Sequence, residues 1–224
     1  MTAADPLAAL GPYFAVRTDP SPPPGFRPLT ELYGAGGPLA ARIAEVGRVL
    51  GTAELRVAAS TAHLGLAARL WSVALGAAVT AGRVPDLAGA WFVLPPQGPF
   101  DLWVSAGGVA AGPEELERAV WDGQLAPLAA AVRAVAPVAP GLLAGNAASA
   151  LVGAARQVGS VPGLRAPAAA LARGLLARPA LAGTGAVTPP GGPLGFRRAS
   201  CCLYYRTPSG GLCGDCVFTR PPGR

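Results

Sequence analysis

Apolar residues recur along this chain mostly at a helical period. From Gly37 onward Leu39, Ile43, Val46 and Leu50 fall on one helix face. The stretch from Glu54 to Ala81 carries Leu66, Leu70 and Val73 in the same phase, with Gly65 and Gly76 suited to close helix–helix approach. Leu143, Ala147, Leu151, Ala154 and Val158 draw another stripe, and Leu171 with Leu175 the last. Two short runs break this rhythm: Trp91-Phe92-Val93-Leu94 and Leu102-Trp103-Val104-Ser105 flank Pro95-Pro96-Gln97-Gly98-Pro99. Aromatic and branched residues around a Pro/Gly turn predict a β-hairpin. Pro113-Glu114-Glu115 places proline and acid in a first turn, so a helix is expected from there through Trp121. The fold class expected is α+β: a predominantly helical single domain with a small antiparallel β-hairpin and an irregular, cysteine-bearing C-terminal segment.

The remaining stretches carry no period. Leu7 to Phe14 is apolar, and Pro20-Ser21-Pro22-Pro23-Pro24-Gly25 predicts an extended connector. Residues 179–196 are uncharged and loop-like. A boundary is therefore expected between a helical domain, 1–196, and a C-terminal segment, 197–224, packed on it. Gly 31 and Pro 25 make up a quarter of the 224 residues, but a hydrophobic content of 51% with only 13% charge leaves ample material for a core.

Charge narrows the chemistry. All 18 cationic residues are Arg, so a Walker A phosphate loop and Schiff-base catalysis, which need Lys, are excluded. His63 is the only histidine, which removes HExxH zinc sites, two-histidine zinc fingers and Rieske clusters. A Gly-x-Gly-x-x-Gly nucleotide fingerprint is missing. The start, Met1 to Pro6, lacks the pattern of a secretory signal. The longest uncharged helical candidate, Ala134 to Ala155, is interrupted by Pro137 and Pro140 and is too weakly apolar to span a bilayer. A cytoplasmic protein without a membrane span is expected.

What remains is concentrated at one end. Arg197 to Arg224 holds every cysteine, and five Arg against one Asp. Cys201, Cys202, Cys213 and Cys216 form the pattern C-C-x10-C-x2-C, which points to metal or redox chemistry rather than to packing or disulfides. Zinc usually takes two C-x2-4-C pairs, and Cys213 with Cys216 supplies one. Adjacent Cys201 and Cys202 do not supply the other, because neighbouring side chains of an extended chain point to opposite faces. Two irons offer two coordination points and tolerate such an asymmetric supply, so spacing favours iron–sulfur and leaves zinc open.

Arg197 to Phe218, with Cys-Cys-Leu-Tyr-Tyr-Arg and Cys-Gly-Asp-Cys, resembles the closing segment of FhuF-type ferric-siderophore reductases. Ala68-Arg69-Leu70-Trp71-Ser72 and Gly145 to Leu151 resemble other family segments more weakly. The resemblance implies that Cys201, Cys202, Cys213 and Cys216 bind a [2Fe-2S] cluster. It also implies an oxidoreductase that passes one electron to the Fe(III) of a siderophore, of hydroxamate type, and releases Fe(II). A ferredoxin or a flavin reductase is the electron donor expected. Such a reaction cuts no bond of the siderophore, in keeping with the missing Lys and the single His. The alternative is a zinc-stabilised binding module without redox activity; nucleic acid is disfavoured as its ligand, because Arg outside the tail nearly balances the acids.

Several residues earn secondary readings. Arg197, Arg198, Arg206 and Arg220 are candidates for tuning the cluster or docking the donor. Backbone N–H groups near Gly210, Gly211 and Gly214 are candidate donors to cluster sulfurs. His63, Trp71, Trp91, Trp103 and Trp121 read as packing residues, and Tyr204 and Tyr205 as a cover over cluster or core. Asn146, alone among small apolar neighbours, is expected to bond backbone and hold the cysteine segment in place.

Overall fold

A computed structural model describes residues 10–95 and 98–222 of the chain. The helices are α1 (Leu39–Leu50), α2 (Leu55–Ala81), α3 (Pro113–Leu116), α4 (Ala126–Val135), α5 (Pro140–Val158) and α6 (Arg165–Leu176). Around them lie short strands β1 (Arg27–Pro28), β2 (Arg83–Val84), β3 (Trp91–Val93), β4 (Asp101–Trp103), β5 (Val109–Ala110), β6 (Gly185–Val187) and β7 (Phe196–Arg198). The fold is α+β and mostly helical, as the periodicity indicates. Its axis is α2, which is apolar on all sides and packs along α5 and against α1. The predicted stripes supply that packing: Leu39, Ile43, Leu66, Leu70 and Val73 are buried, as is the whole 143–158 set.

By length and hydropathy, α2 and not the 134–155 stretch is the helix that satisfies the criteria for a membrane span. It is a core helix here, with 61% of its most apolar 18 residues buried inside the fold. The 134–155 stretch is broken: Ala136 is extended, and Pro140 opens a new helix with its ring at a position that needs no N–H. The helix begun at Pro113 does not stop at Trp121. It widens into a π-helical stretch, Glu117–Leu125, and continues as α4.

The expected hairpin forms, with Trp91 opposite Trp103 and Phe92 opposite Leu102; part of its turn, Pro96 and Gln97, lies outside the described residues. It gains a partner that periodicity does not reveal. The proline-rich connector ends in β1, which pairs Arg27 with Phe92. The start of the chain is also tied in, although Leu7 to Ala9 of its apolar stretch are outside the described residues. Buried Arg69 donates from Nε to Phe100 O at 2.9 Å, from Nη1 to Tyr13 O at 2.7 Å, and from Nη2 to Ala15 O. Burial lowers its pKa to about 10.

Two further departures concern the site. Residues 179–196 are not all loop: β6 pairs antiparallel with β7, Gly185 opposite Arg198 and Val187 opposite Phe196. This hairpin delivers the chain to the first cysteine. Gly65 meets nothing where a side chain would begin, so it is not a point of close helix approach. Gly145 on α5 is one: a Cβ there would lie 2.5 Å from Ser200 Oγ and 3.0 Å from Arg198 Nη2.

Candidate metal centre

The cysteine segment lies against the N-terminal half of α2 and along α5, and polar side chains from both helices fasten it. Ser60 Oγ on α2 donates to the carbonyl of Cys202 at 2.7 Å. Asn146 Nδ2 on α5 donates in turn to the Ser60 carbonyl at 2.9 Å and to Ser60 Oγ at 3.1 Å. Asn146 thus reaches the cysteine loop through Ser60 rather than directly. Ser200 Oγ donates to Gly141 O at 3.1 Å, at the start of α5.

The second cysteine pair is held by the residue between its members. Asp215 is buried, and its carboxylate accepts from Ser149 Oγ at 2.6 Å and from Arg156 Nη1 at 2.8 Å, both on α5. Its carbonyl accepts from Arg198 N on β7 at 2.9 Å. One aspartate therefore locks the Cys213–Cys216 turn to a helix and to the strand preceding the first pair. Its isolation as the one acid among the tail's cations is the signal that sequence reading left unused.

Cys202 is buried and the other three cysteines are half-exposed. Cys202 Sγ and Cys213 Sγ lie 3.5 Å apart and are joined by a hydrogen bond. That bond, first among the causes, lowers the Cys202 pKa to about 6 and raises that of Cys213. Burial raises Cys201. Each sulfur accepts an N–H from the residue two places on: Cys201 from Leu203 at 3.3 Å, Cys216 from Phe218 at 3.4 Å, Cys202 from Tyr204 and Cys213 from Asp215. Of the amides expected near Gly210, Gly211 and Gly214, the Asp215 N–H next to Gly214 is among these donors, whereas Gly210 N donates to Thr207 O. Leu203 makes room for the adjacent pair: at φ 68° it is the one non-glycine residue with positive φ among the described residues. A β-carbon there costs about 1 kcal/mol, so the surrounding bonds hold it in place.

The four candidate arginines part company. Arg198 is 2% exposed. Its Nε donates to Ser200 O at 3.0 Å, its Nη2 to Leu142 O at 3.2 Å, and its Nη1 has no partner. Burial lowers its pKa, while Cys202, Cys213 and Cys201, in that order, favour its charge. Arg206 is spent on an ion pair, with Nη2 2.8 Å from Glu54 Oε1, and the guanidinium stands 6.0 Å from the centre of the Tyr205 ring. Arg197 is exposed and donates to Val217 O; Arg220 is exposed. Tyr205 meets Phe218 edge-on at the outer side of the segment.

On α2, His63 is 1% exposed and neither ring nitrogen has a partner. Burial, and then the charge of Arg198, lower its pKa to about 4. Trp71 is fully buried, and Trp103 donates to Asp19 O at 2.9 Å, so both serve the core.

Among the described residues no three His, Cys, Asp or Glu side chains gather tightly enough to hold one ion. The donor set is instead one close thiol pair with two flanking thiols. Four soft thiolates, each with an N–H donor, suit a centre with two irons. Residues 198–218 match the FhuF 2Fe-2S C-terminal domain. The closing segment is of the FhuF type, and its cofactor is a [2Fe-2S] cluster. That assignment displaces the zinc-held alternative. The match spans the cysteine segment and stops short of the helices that support it. A search of curated proteins finds no match to the chain.

Proposed function

We propose that this protein is a cytoplasmic ferric-siderophore reductase whose Cys201, Cys202, Cys213 and Cys216 hold the [2Fe-2S] cluster. The observation that carries this reading is the placement of the four thiols: anchored from below by α2 and α5, with three of them half-exposed at the surface. When bound, the cluster supplies electrons one at a time. The residues around it then have only to hold it, balance its charge and let a large substrate approach. Asp215 and Ser60 fix the two halves of the thiolate set. Arg198 places a buried cation, with one nitrogen unpartnered, next to the thiols, and exposed Arg197 and Arg220 offer a basic rim to an acidic ferredoxin or to a flavin reductase.

The substrate is the one that the FhuF resemblance implies, and the chemistry of iron release supports it. Hydroxamate oxygens hold Fe(III) tightly because it is small and highly charged; one added electron gives Fe(II), which they hold weakly and release. No general acid, base or nucleophile is needed, consistent with a site built from thiols, amides and arginine.

The test uses protein purified anaerobically, with iron and sulfide assayed on the same sample. Dithionite-reduced protein, freed of excess reductant, is mixed with a ferric trihydroxamate siderophore and a ferrous chelator. The expected result is reoxidation of the cluster with about one ferrous chelate formed per cluster. A cluster that stays reduced would overturn the reductase reading.

A further inference from the structure

Resting on the [2Fe-2S] reading, the geometry points to a specific division of the four ligands: Cys202 and Cys213 share one iron, Cys201 and Cys216 hold the other, and Arg198 makes the Cys202–Cys213 iron the one that becomes ferrous.

The pairing comes from distance and from chain geometry. With metal–sulfur bonds of about 2.3 Å and tetrahedral angles, two thiolates on one metal lie about 3.8 Å apart. Thiolates on different irons are separated by the width of the sulfide bridge as well. Cys202 Sγ and Cys213 Sγ, 3.5 Å apart, meet the first condition. Electrostatically the thiols couple in a ring, Cys201 with Cys202 and Cys216, and Cys213 with Cys202 and Cys216. Such a ring divides in two ways. Pairing Cys201 with Cys202 would require adjacent residues to chelate one ion, against the alternation of the backbone. It would also split the closest pair. The remaining division puts Cys201 with Cys216.

The electron's location is a contest between solvent and a fixed charge. Water reaches Cys201, Cys213 and Cys216 but not buried Cys202, so solvation favours added negative charge on the Cys201–Cys216 iron. Arg198 opposes this: a buried guanidinium with one unpartnered nitrogen and with no carboxylate bonded to it. Among the thiols, Cys202 and Cys213 interact with its charge most strongly, with Cys201 third. A whole charge acting through a weakly polarisable interior outweighs the extra solvation gained at the more exposed pair. One electron from an external donor converts one Fe(III) to Fe(II), no bond is made or broken, and the added charge settles beside Arg198.

The experiment is proton NMR of the holoprotein reduced by dithionite, with the cysteine β-proton signals assigned through contacts to neighbouring side chains. Ligands of the ferric iron show large shifts that shrink on warming, and ligands of the ferrous iron show small shifts that grow. The expected spectrum places Cys202 and Cys213 in the ferrous set and Cys201 and Cys216 in the ferric set. A split that separates Cys202 from Cys213 would overturn the pairing. The ferrous pattern on Cys201 and Cys216 would overturn the role of Arg198. Arg198→Lys keeps the charge and is expected to keep the pattern; Arg198→Met is expected to weaken or reverse it, and an unchanged pattern in Arg198→Met also counts against the proposal. Should neither variant fold, the wild-type spectrum decides alone. Protein that binds no iron and sulfide even after anaerobic reconstitution sinks the cluster reading itself, a failure distinct from the others.

Discussion

At the residue scale, the site depends on buried polar groups with few alternatives. His63 has both ring nitrogens unpartnered, and its pKa is lowered to about 4 by burial and then by Arg198. In the unfolded chain the ring titrates near 6.5. Folding therefore excludes a proton: the stability associated with a neutral ring is complete above about pH 6.5 and is lost as pH falls through 4, with a ceiling of about 3 kcal/mol. Urea unfolding of the holoprotein at pH 7.5 and at pH 5.5 checks this. His63→Leu is expected to lose less stability across that interval than the wild type; equal losses would mean that the ring titrates normally. Sequence reading treats His63 as a packing residue, and it is packed, but nothing local marks it as sensing the charge of Arg198. Asp215 stood out as the one acid among the tail's cations, but its partners Ser149 and Arg156 are remote in the chain, so its role was not legible.

At the element scale, the approach of α5 to the segment around Arg198 is set by the missing side chain at Gly145. A Cβ there would lie 2.5 Å from Ser200 Oγ, so a methyl group must push the two elements apart. Gly145→Ala is expected to cost about 1–3 kcal/mol and to loosen the cluster, read as a lower Tm and faster bleaching of the visible absorption in air. A variant as stable and as slow to bleach as the wild type would show that the elements shift freely. The helices themselves were legible because their apolar spacing is local. The strands were less so: β1, β6 and β7 are two or three residues long, and each exists by virtue of a partner elsewhere. Period-2 alternation has no room to show in such runs. The π-helical widening at Glu117–Leu125 was hidden for a related reason, since one face of that stretch is held by tertiary contacts such as Gln124 Nε2 donating to Leu87 O at 3.0 Å.

At the scale of the whole molecule, two kinds of cohesion coexist. The helical core around α2 and α5 is held by apolar burial and does not involve the thiols. The C-terminal segment has little regular hydrogen bonding and is fastened by Ser60, Asp215, Arg198 and, in the holoprotein, by the cluster. Removing the cluster with a chelator under reducing conditions is expected to speed amide hydrogen exchange in residues 197–222 by at least about tenfold while α2 and α5 stay protected. Uniform loss of protection would instead mean that cluster and core fold as one unit.

The sequence by itself determined the helical character of the fold, the existence of one hairpin, and a thiolate metal centre, because periodicity and cysteine spacing are written in neighbouring residues; the match of residues 198–218 to the FhuF 2Fe-2S domain decided between zinc and iron–sulfur. It also excluded every mechanism that needs lysine or several histidines. Only the tertiary structure decided which groups stand around the thiols. Ser60 and Asn146 come from helices about 140 and 60 residues away from the cysteines they support. Arg198, one of four candidates alike in sequence, is set apart by burial next to the thiols, whereas Arg206 is taken by Glu54. Charge, burial and hydrogen bonding act through space, and only folding brings those residues within reach of one another.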